Sequence, residues 1–503
     1  MCNIVIFDTY SLSGYIGFVQ EGSPEVSRDG TKPSGQDART SKKLSRRELL
    51  RLGGMLAVGS AVAPLLSACG GSGSAAGKGL AGTTLTVATV SNSQMEDMQS
   101  LAGHFTEKTG IRVNFLFLPE NDLRQRVTQD VAMNAGNFDI VTIGSYDTPF
   151  WGRYQWLEPL DPFFSQMSRS ERERYDLEDL LKPIRTILSH KDQLFALPFY
   201  AESSMLFYRK DLLEQANLKM PERPKWDQVR GFAEKLDNPE GDVHGIILRG
   251  LPGWGANMAP FDTFINTYGG RWYNLDWEPQ LTSPEVKEAI RAYSTLARSY
   301  GQPGITSDNF PECENSFTSG SGAIWYDATS AAGYLSDPET SKVADKVGFA
   351  YGPTAVTPHG AHWLWSWALG IEFSSRKKDA AFEFLKWATS KEYINLVGRE
   401  LGWVRVPPGT RRSTYESTKY KENPWAEIEI KSIEDADPER PTRDPVPYTG
   451  IQYIGIPEFQ QLGDEVGRML AGVLAGQMSI DDMAGQAQQA ALEVARQGEY
   501  LKT

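Results

Sequence analysis

Three short segments place tryptophan and tyrosine beside polar residues, in settings that indicate loops or strand ends. They are residues 253–257 (GWGAN), 325–327 (WYD) and 362–367 (HWLWSW). Flat aromatic rings pack on the weakly apolar C–H faces of carbohydrates, while carboxylate, amide and guanidinium groups pair with hydroxyl groups. The segments therefore indicate a site for a polyhydroxylated ligand. Trp365 and Trp367 alternate with their neighbours at the period of a strand, so some of these rings are expected to pack in the core instead.

The usual catalytic motifs are missing from the sequence. It contains no G-x-S-x-G nucleophile motif, no G-x-x-x-x-G-K-[ST] phosphate loop, no H-E-x-x-H zinc motif and no strand-linked G-x-G-x-x-G. These absences disfavour hydrolase, nucleotide-binding and zinc-protease functions. The two carboxylates of a glycoside hydrolase can lie far apart in sequence, so an extracellular carbohydrate-active enzyme remains an alternative.

Histidine and cysteine spacing does not indicate a metal centre. His359 and His362 could place both imidazoles on one metal ion, but solvated histidines in a loop or strand start are the interpretation we favour. Cys2, Cys69 and Cys313 are too few for a disulfide scaffold and show neither CxxC nor Cys/His ligand spacing. We expect no metal and no cofactor.

Composition excludes two broad classes. A chain of 503 residues that is 40% hydrophobic can bury a large core, so disorder throughout is ruled out. The 64 acidic and 51 basic residues give a formal charge of −13, which repels phosphate backbones. We therefore expect no nucleic-acid partner.

The N-terminal region is typical of an exported protein. Residues 42–51 (KKLSRRELLR) are rich in positive charge and precede the apolar run 52–66, which is shorter than the roughly 20 residues needed to span a bilayer. The segment 45–50 resembles a twin-arginine signal with Leu49 in place of Phe, so the export route stays open. Residues 66–69 (LSAC) match the bacterial lipoprotein box, in which Cys69 is lipidated. We expect residues 1–68 to be a lipoprotein export signal with an extended N-terminal region, and 69–82 to be a flexible tether.

The elements that must position the site begin with alternating strands and helices. Strands are predicted at 84–90, 111–118 and 138–144, and helices at 94–108 and 121–134. This alternation indicates βαβ units and a parallel sheet. Ligands bind beyond the carboxyl ends of such strands, where Ser91, Asn92, Tyr146 and Asp147 lie.

A second α/β set follows, so we predict two lobes rather than one large sheet. It begins at 197–208, continues through a helix at 226–236 and includes 245–249. Further helices are predicted at 283–299, 379–389 and 484–495. The proline-rich and charged stretch 421–448 is expected to be an irregular surface crossing.

Several motifs together resemble one family. They are FYAESSMLFYRKDLL (199–213), LRQRV (123–127), GWGANM (253–258), IWYDAT (324–329), GWVRVPPGT (402–410), DPVPYTGIQY (444–453) and IPEF (456–459). With the lipoprotein box and the βαβ start, they resemble the extracellular solute-binding proteins of bacterial ABC importers, in the sugar-binding group that includes the maltose-binding protein. The similarity is greater to the sorbitol- and mannitol-binding branch and runs from about residue 84 to the C-terminus.

This resemblance implies an α/β, two-lobed periplasmic-binding-protein fold with a multi-segment hinge and an interlobe ligand cleft. One lobe would hold 83–197 and 364–405, and the other 198–363 and 406–503. The resemblance also implies the positions that line the cleft or lie near the hinge. With the positional candidate Asn92, the expected ligand-binding residues are Tyr146, Asp147, Glu202, Trp254, Asn257, Asp327, Trp363, Trp365 and Arg405. Tyr326 and Gln302 depart from residues typical of relatives, and both could alter the cleft.

The function implied is capture of a sorbitol- or mannitol-like hexitol and its delivery to an ABC permease. The protein would be an exported, lipid-anchored monomer at the cell surface or in the periplasm, and not an enzyme. A mono- or disaccharide ligand is the alternative within the family. A purely structural surface lipoprotein is a third reading.

Overall fold

A computed structural model describes residues 79–501 of the chain. The predicted export signal, Cys69 and the first part of the predicted tether lie outside these described residues. Within them, strands are β1 Thr84–Val90, β2 Arg112–Leu118, β3 Ile140–Gly144, β4 Ser189–His190, β5 Gln193–Leu194, β6 Ala196–Glu202, β7 Ser204–Arg209, β8 Ile324–Ala328, β9 Val347–Tyr351 and β10 Trp365–Ile371.

Helices account for most of the remaining regular structure. They are α1 Ser93–Thr109, α2 Glu120–Met133, α3 Asp147–Arg153, α4 Asp161–Gln166, α5 Arg169–Tyr175, α6 Lys182–Ile187, α7 Lys210–Gln215, α8 Trp226–Leu236, α9 Met258–Thr267, α10 Pro284–Tyr300, α11 Phe310–Ser319, α12 Ala332–Ser336, α13 Lys378–Ala388, α14 Lys391–Glu400, α15 Arg412–Glu416, α16 Thr418–Lys421, α17 Ala426–Asp435, α18 Phe459–Leu474 and α19 Ile480–Gln497.

The first lobe is built on a five-stranded sheet in the order β2-β1-β3-β10-β6. β1 pairs in parallel with β2 and β3, whereas β10 runs antiparallel to β3 and β6. Every residue of β3, β6 and β10 is buried, as expected for strands covered on both faces. Because β1 and β3 run parallel, their carboxyl ends lie at the same edge of this sheet.

Helix α1 shows how the sequence defines these elements. The Asn92 side chain caps its first turn by accepting a hydrogen bond from the Met95 N–H at 3.0 Å. Gly110 ends the helix in the left-handed conformation at φ 73°. The buried face presents Met95, Met98, Leu101, Ala102 and Phe105, the residues whose helical spacing predicted it.

The second lobe is built on a three-stranded antiparallel sheet in the order β8-β7-β9. Residues 245–249, assigned to the second α/β set from the sequence, form no regular strand but make an isolated parallel bridge from Ile247 to Trp325 of β8. The stretch 421–448 is not wholly irregular, since it contains α17, whose Glu429, Ser432 and Ile433 are buried. The apolar spacing of this short helix was obscured by the surrounding prolines and charges.

The chain passes between the lobes at several points. Ser203 alone separates β6 of the first sheet from β7 of the second. The Ala201 N–H donates to the Pro408 carbonyl at 2.9 Å, so the chain still contacts the first lobe after residue 405. β6 belongs to the first sheet as far as Glu202, and the divisions at 197/198, 363/364 and 405/406 stay predictions.

Gly409, beside that crossing, has no room for a side chain. Its φ is +72°, and an added Cβ would lie 2.0 Å from the Ala201 carbonyl oxygen. We predict that Gly409→Ala lowers the free energy of unfolding by at least about 2 kcal/mol, because it combines backbone strain with a steric clash. Urea unfolding of residues 70–503 measures this effect.

The matched control is Gly103→Ala in the middle of α1. An added Cβ there has no neighbouring atom within 4 Å, so the variant should keep or gain stability, by up to about 1 kcal/mol. Equal stability of the Gly409 and Gly103 variants would contradict the packing described at the crossing.

Candidate functional site

A cavity of about 440 Å³ lies between the two lobes. This volume is within the range of small-molecule sites, about 300–1,000 Å³. Its wall from the first lobe includes Ser91, Asn92, Glu120, Arg124, Tyr200, Glu202, Trp365 and Trp367, and from the second lobe Arg249, Trp254, Asn309, Phe310, Glu314 and Ser330. Trp363, just before β10, completes the wall. Aromatic faces and hydrogen-bonding groups thus line one cleft between the lobes.

The carboxyl end of β1 reaches this cavity, as the alternation of strands and helices predicted. Ser91 and Asn92 follow β1 directly and both line the wall. The Asn92 amide Nδ2 also donates to the Tyr200 hydroxyl at 2.9 Å. Asn92 therefore joins the cap of α1 to the cavity wall.

Arg124 of α2 lies against three tryptophan rings of the cavity wall. Its guanidinium carbon is 4.0 Å from the centroid of Trp254, 5.4 Å from Trp365 and 5.3 Å from Trp367. Such cation–π contacts stabilise by about 0.5–2 kcal/mol, more when desolvated. Because Trp254 belongs to the second lobe, this cluster connects the two sides of the cavity.

Two carboxylates fix the Arg124 guanidinium. Its Nη2 lies 2.7 Å from Glu120 Oε1, and its Nη1 lies 2.8 Å from Asp147 Oδ2. Burial raises the pKa of Asp147 to about 6, although the neighbouring Arg124 opposes the rise. Asp147 does not line the cavity, so its part in the site is to hold Arg124.

Arg249 is the second arginine of the wall, and Asp327 holds it from behind. The pair is bidentate, with Arg249 Nε 2.8 Å from Asp327 Oδ2 and Nη2 on Oδ1. Burial opposes the charged guanidinium, but Asp327 outweighs it and raises the pKa of Arg249. Asp327 itself is fully buried and lies outside the cavity lining, so its predicted contact with the ligand stays a prediction.

Glu202 and Glu314 face the cavity with hydroxyl partners only. Glu202 Oε2 accepts from the Ser330 hydroxyl at 2.5 Å, and Glu314 Oε2 accepts from the Ser93 hydroxyl at 3.2 Å. Glu314 Oε1 has no hydrogen-bond partner among the described residues. Burial raises the pKa of each carboxyl to about 8.

Three further predicted site residues lie outside the cavity wall. Tyr146 is buried at the lobe junction, where its hydroxyl donates to the Ile456 carbonyl at 2.8 Å and its ring contacts Trp254 at 4.6 Å. Asn257 supports the loop that carries Trp254, because its amide donates to the Gly467 carbonyl at 2.9 Å. Arg405 pairs with Asp97 at 2.5 Å, away from the cavity.

Tyr326 and Gln302, the two residues that depart from those typical of relatives, are also buried in the core. The Tyr326 hydroxyl donates to Thr263 Oγ1 at 2.9 Å, and the Gln302 amide donates to the Leu248 carbonyl at 2.8 Å. Neither residue lines the cavity.

His362 is buried with its Nδ1 3.4 Å from the Ser204 carbonyl, and burial lowers its pKa to about 4. A solvated position was therefore wrong for His362.

Of the ten predicted ligand-binding residues, the cavity brings together Asn92, Glu202, Trp254, Trp363 and Trp365. Sequence reasoning missed Arg124, Arg249, Glu314 and Tyr200. The signal for Arg124 was available, because Glu120 stands four residues earlier at the start of the helix that follows β2. Arg249 gave no such signal, since its partner Asp327 is distant in sequence.

The lobes meet closely beside the cavity. An added Cβ at Gly255 would lie 2.5 Å from Glu120 Oε1 and 3.1 Å from Arg124 Nη2. The Gln94 amide also donates to the carbonyl of Ser330 in the cavity wall at 3.0 Å, and the Tyr334 hydroxyl donates to Asp97 Oδ2 at 2.8 Å. In residues 79–501 no helix has the length and apolarity to cross a bilayer.

The sequence is similar to a known protein family and to binding proteins of known ligand. The family model described as bacterial extracellular solute-binding protein matches residues 90–394. A mannitol-binding protein of Pseudomonas aeruginosa is 45% identical over 420 residues, which cover 83% of this chain and 94% of that protein. An erythritol/L-threitol-binding protein of Mycolicibacterium smegmatis is 26% identical over 403 residues, covering 75% and 83%.

Solved structures of ABC transporter solute-binding proteins are similar to this structure. An ABC transporter solute-binding protein of Agrobacterium vitis with bound D-mannitol superposes with a TM-score of 0.81 at 45% identity, covering 84% of this chain and all of that one. One from Agrobacterium radiobacter in complex with ribitol gives 0.72 at 25% identity, covering 83% and 100%. The predicted two-lobed α/β fold is confirmed, and the chain belongs to the bacterial extracellular solute-binding protein family.

Proposed function

We propose that this protein captures a linear sugar alcohol of the mannitol or sorbitol type outside the membrane and delivers it to an ABC permease. The observation that carries the proposal is the interlobe cavity with aromatic and hydrogen-bonding walls from both lobes. The mannitol-binding relative and the D-mannitol complex, each 45% identical to this chain, support a hexitol as ligand. Binding leaves the ligand chemically unchanged.

The size of the interaction is attainable for so small a molecule. Micromolar affinity needs about −8.2 kcal/mol, or roughly −0.7 kcal/mol for each of about 12 heavy atoms, within the ceiling of about −1.5. An acyclic polyol loses rotor entropy on binding, so its hydroxyl groups need partners that are already fixed. Arg124 and Arg249 are fixed in this way by their carboxylates.

Selectivity should follow hydroxyl stereochemistry. Each polar group left unmatched in the closed cavity costs about 1–3 kcal/mol, which separates close isomers by roughly ten- to a hundredfold. Contacts from both lobes also let the ligand favour the closed form, since a ligand that binds two forms equally shifts neither.

Export and anchoring complete the proposal. The lipoprotein box at residues 66–69 supports lipidation of Cys69, and residues 70–82 would tether a monomeric binding domain to the membrane surface. Membership of an extracellular solute-binding family supports a position outside the cytosol.

We predict that D-mannitol or D-sorbitol raises the melting temperature of residues 70–503 more than erythritol, ribitol, hexoses or disaccharides do. A thermal-shift screen followed by titration calorimetry gives the ranking. A larger rise in melting temperature with a hexose or disaccharide would identify that sugar as the ligand in place of a hexitol. No rise with any of these compounds would refute sugar-alcohol binding.

We predict that Arg249→Lys weakens hexitol binding at least tenfold. Lysine keeps the charge beside Asp327 but loses the planar fork that presents fixed donors to the cavity. Titration calorimetry measures the change. The control is Arg209→Lys, which alters a similar arginine–aspartate pair, 2.7 Å from Asp211, outside the cavity and should leave binding unchanged. Equal affinities of the two variants would count against Arg249 as a ligand contact.

We predict that Cys69→Ser moves the full-length protein from the membrane fraction to the soluble exported fraction, because serine cannot accept the thioether-linked lipid. Fractionation of expressing cells with immunodetection measures this. Continued membrane retention of the variant would contradict anchoring through Cys69.

A further inference from the structure

The charges around the cavity are not balanced. Five glutamates, Glu96, Glu120, Glu202, Glu312 and Glu314, line the cavity with two arginines, Arg124 and Arg249. Both arginines are already paired with carboxylates, Arg124 with Glu120 and Asp147, and Arg249 with Asp327. Within the described residues, neither Glu202 nor Glu314 forms an ion pair, although Arg249 acts on Glu202 and Arg405 on Glu314 from a greater distance.

Glu202 and Glu314 are the two buried carboxyls in this position. They are 7% and 8% exposed, and each accepts one hydrogen bond from a serine. Glu312 differs, since its Oε2 accepts from the Asn309 N–H at 3.0 Å as part of the cap of α11. A buried carboxylate without a cation is costly, and so is the unmatched Glu314 Oε1.

From this arrangement we infer that the cavity also accepts amino alditols, which are linear polyols with one hydroxyl replaced by a protonated amine. The inference rests on the proposed polyol function, because the rest of the ligand would use the same wall. An ammonium group carries donors and a positive charge, and the Glu202 and Glu314 carboxyls of the wall accept only serine hydroxyls. Replacing a hydroxyl by an ammonium keeps the length and shape of the polyol.

Binding an amine should release a proton. Burial holds the pKa of Glu202 and Glu314 at about 8, so both are mostly protonated at pH 7. Glu202 is faced by Arg249, Asp327 and Glu120. Glu314 is faced by Asp327, Glu96 and Arg405. A ligand ammonium beside either carboxyl stabilises its anion, and the carboxyl proton passes to the buffer while the amine keeps its own.

The test compares 1-amino-1-deoxy-D-mannitol with D-mannitol on residues 70–503 at pH 7. Calorimetry in phosphate and in MOPS, which differ in ionisation enthalpy, should show close to one proton released with the amine and none with D-mannitol. Glu202→Gln or Glu314→Gln should lower the affinity for the amine relative to D-mannitol at least tenfold. Circular dichroism and the melting temperature of each ligand-free variant show that it is folded.

Glu429→Gln is the matched control. Glu429 is a buried carboxyl whose pKa burial raises to about 7, but it accepts from Tyr415 and Tyr420 and lies outside this cavity. The variant should leave the affinity ratio unchanged. D-mannitol binding without amine binding, amine binding without proton release, or an unchanged ratio in both cavity variants would overturn the inference. Amine binding with proton release in the absence of D-mannitol binding would support the inference and overturn the hexitol proposal.

Discussion

Charged side chains in the wall of a buried cleft are stable only where opposite charges and hydrogen bonds replace the water that they lose. Arg124 and Arg249 meet this requirement within their own lobes, through Glu120 with Asp147 and through Asp327. The remaining polar wall is arranged around these two pairs. Because the carboxylates hold each guanidinium still, the site presents fixed donors and spares the ligand the entropy of ordering them.

Arg124 also links formation of the site to the relative position of the two lobes. Trp254 of the second lobe packs at 4.0 Å on the Arg124 guanidinium of the first. Asp464 holds the Trp254 loop by accepting from the Trp254 N–H at 2.9 Å. Separation of the lobes would remove this contact together with one wall of the cavity, so closure and ligand contact are energetically coupled.

Local sequence patterns were sufficient to predict the first five elements, β1 to β3 with α1 and α2, but not the short helices α3 to α6 that follow. Helix α1 is one residue longer at each end than predicted, and α8 of the second lobe agrees with its predicted bounds, because caps and helical spacing are local signals. The site was predicted only in part. Asn92 could be placed from its position after β1, but the pairing of Asp327 with Arg249 of the cavity wall was not predicted. Contacts between residues 78 positions apart leave no local pattern.

Gly255 sets the distance at which the two halves of the molecule meet. Backbone alone faces Glu120 and Arg124 there, with no room for even a methyl group. A larger residue would either displace the ends of these two side chains, which line the cavity, or hold the lobes farther apart. The absence of a side chain at Gly255 thus allows the two lobes to approach each other closely at this point.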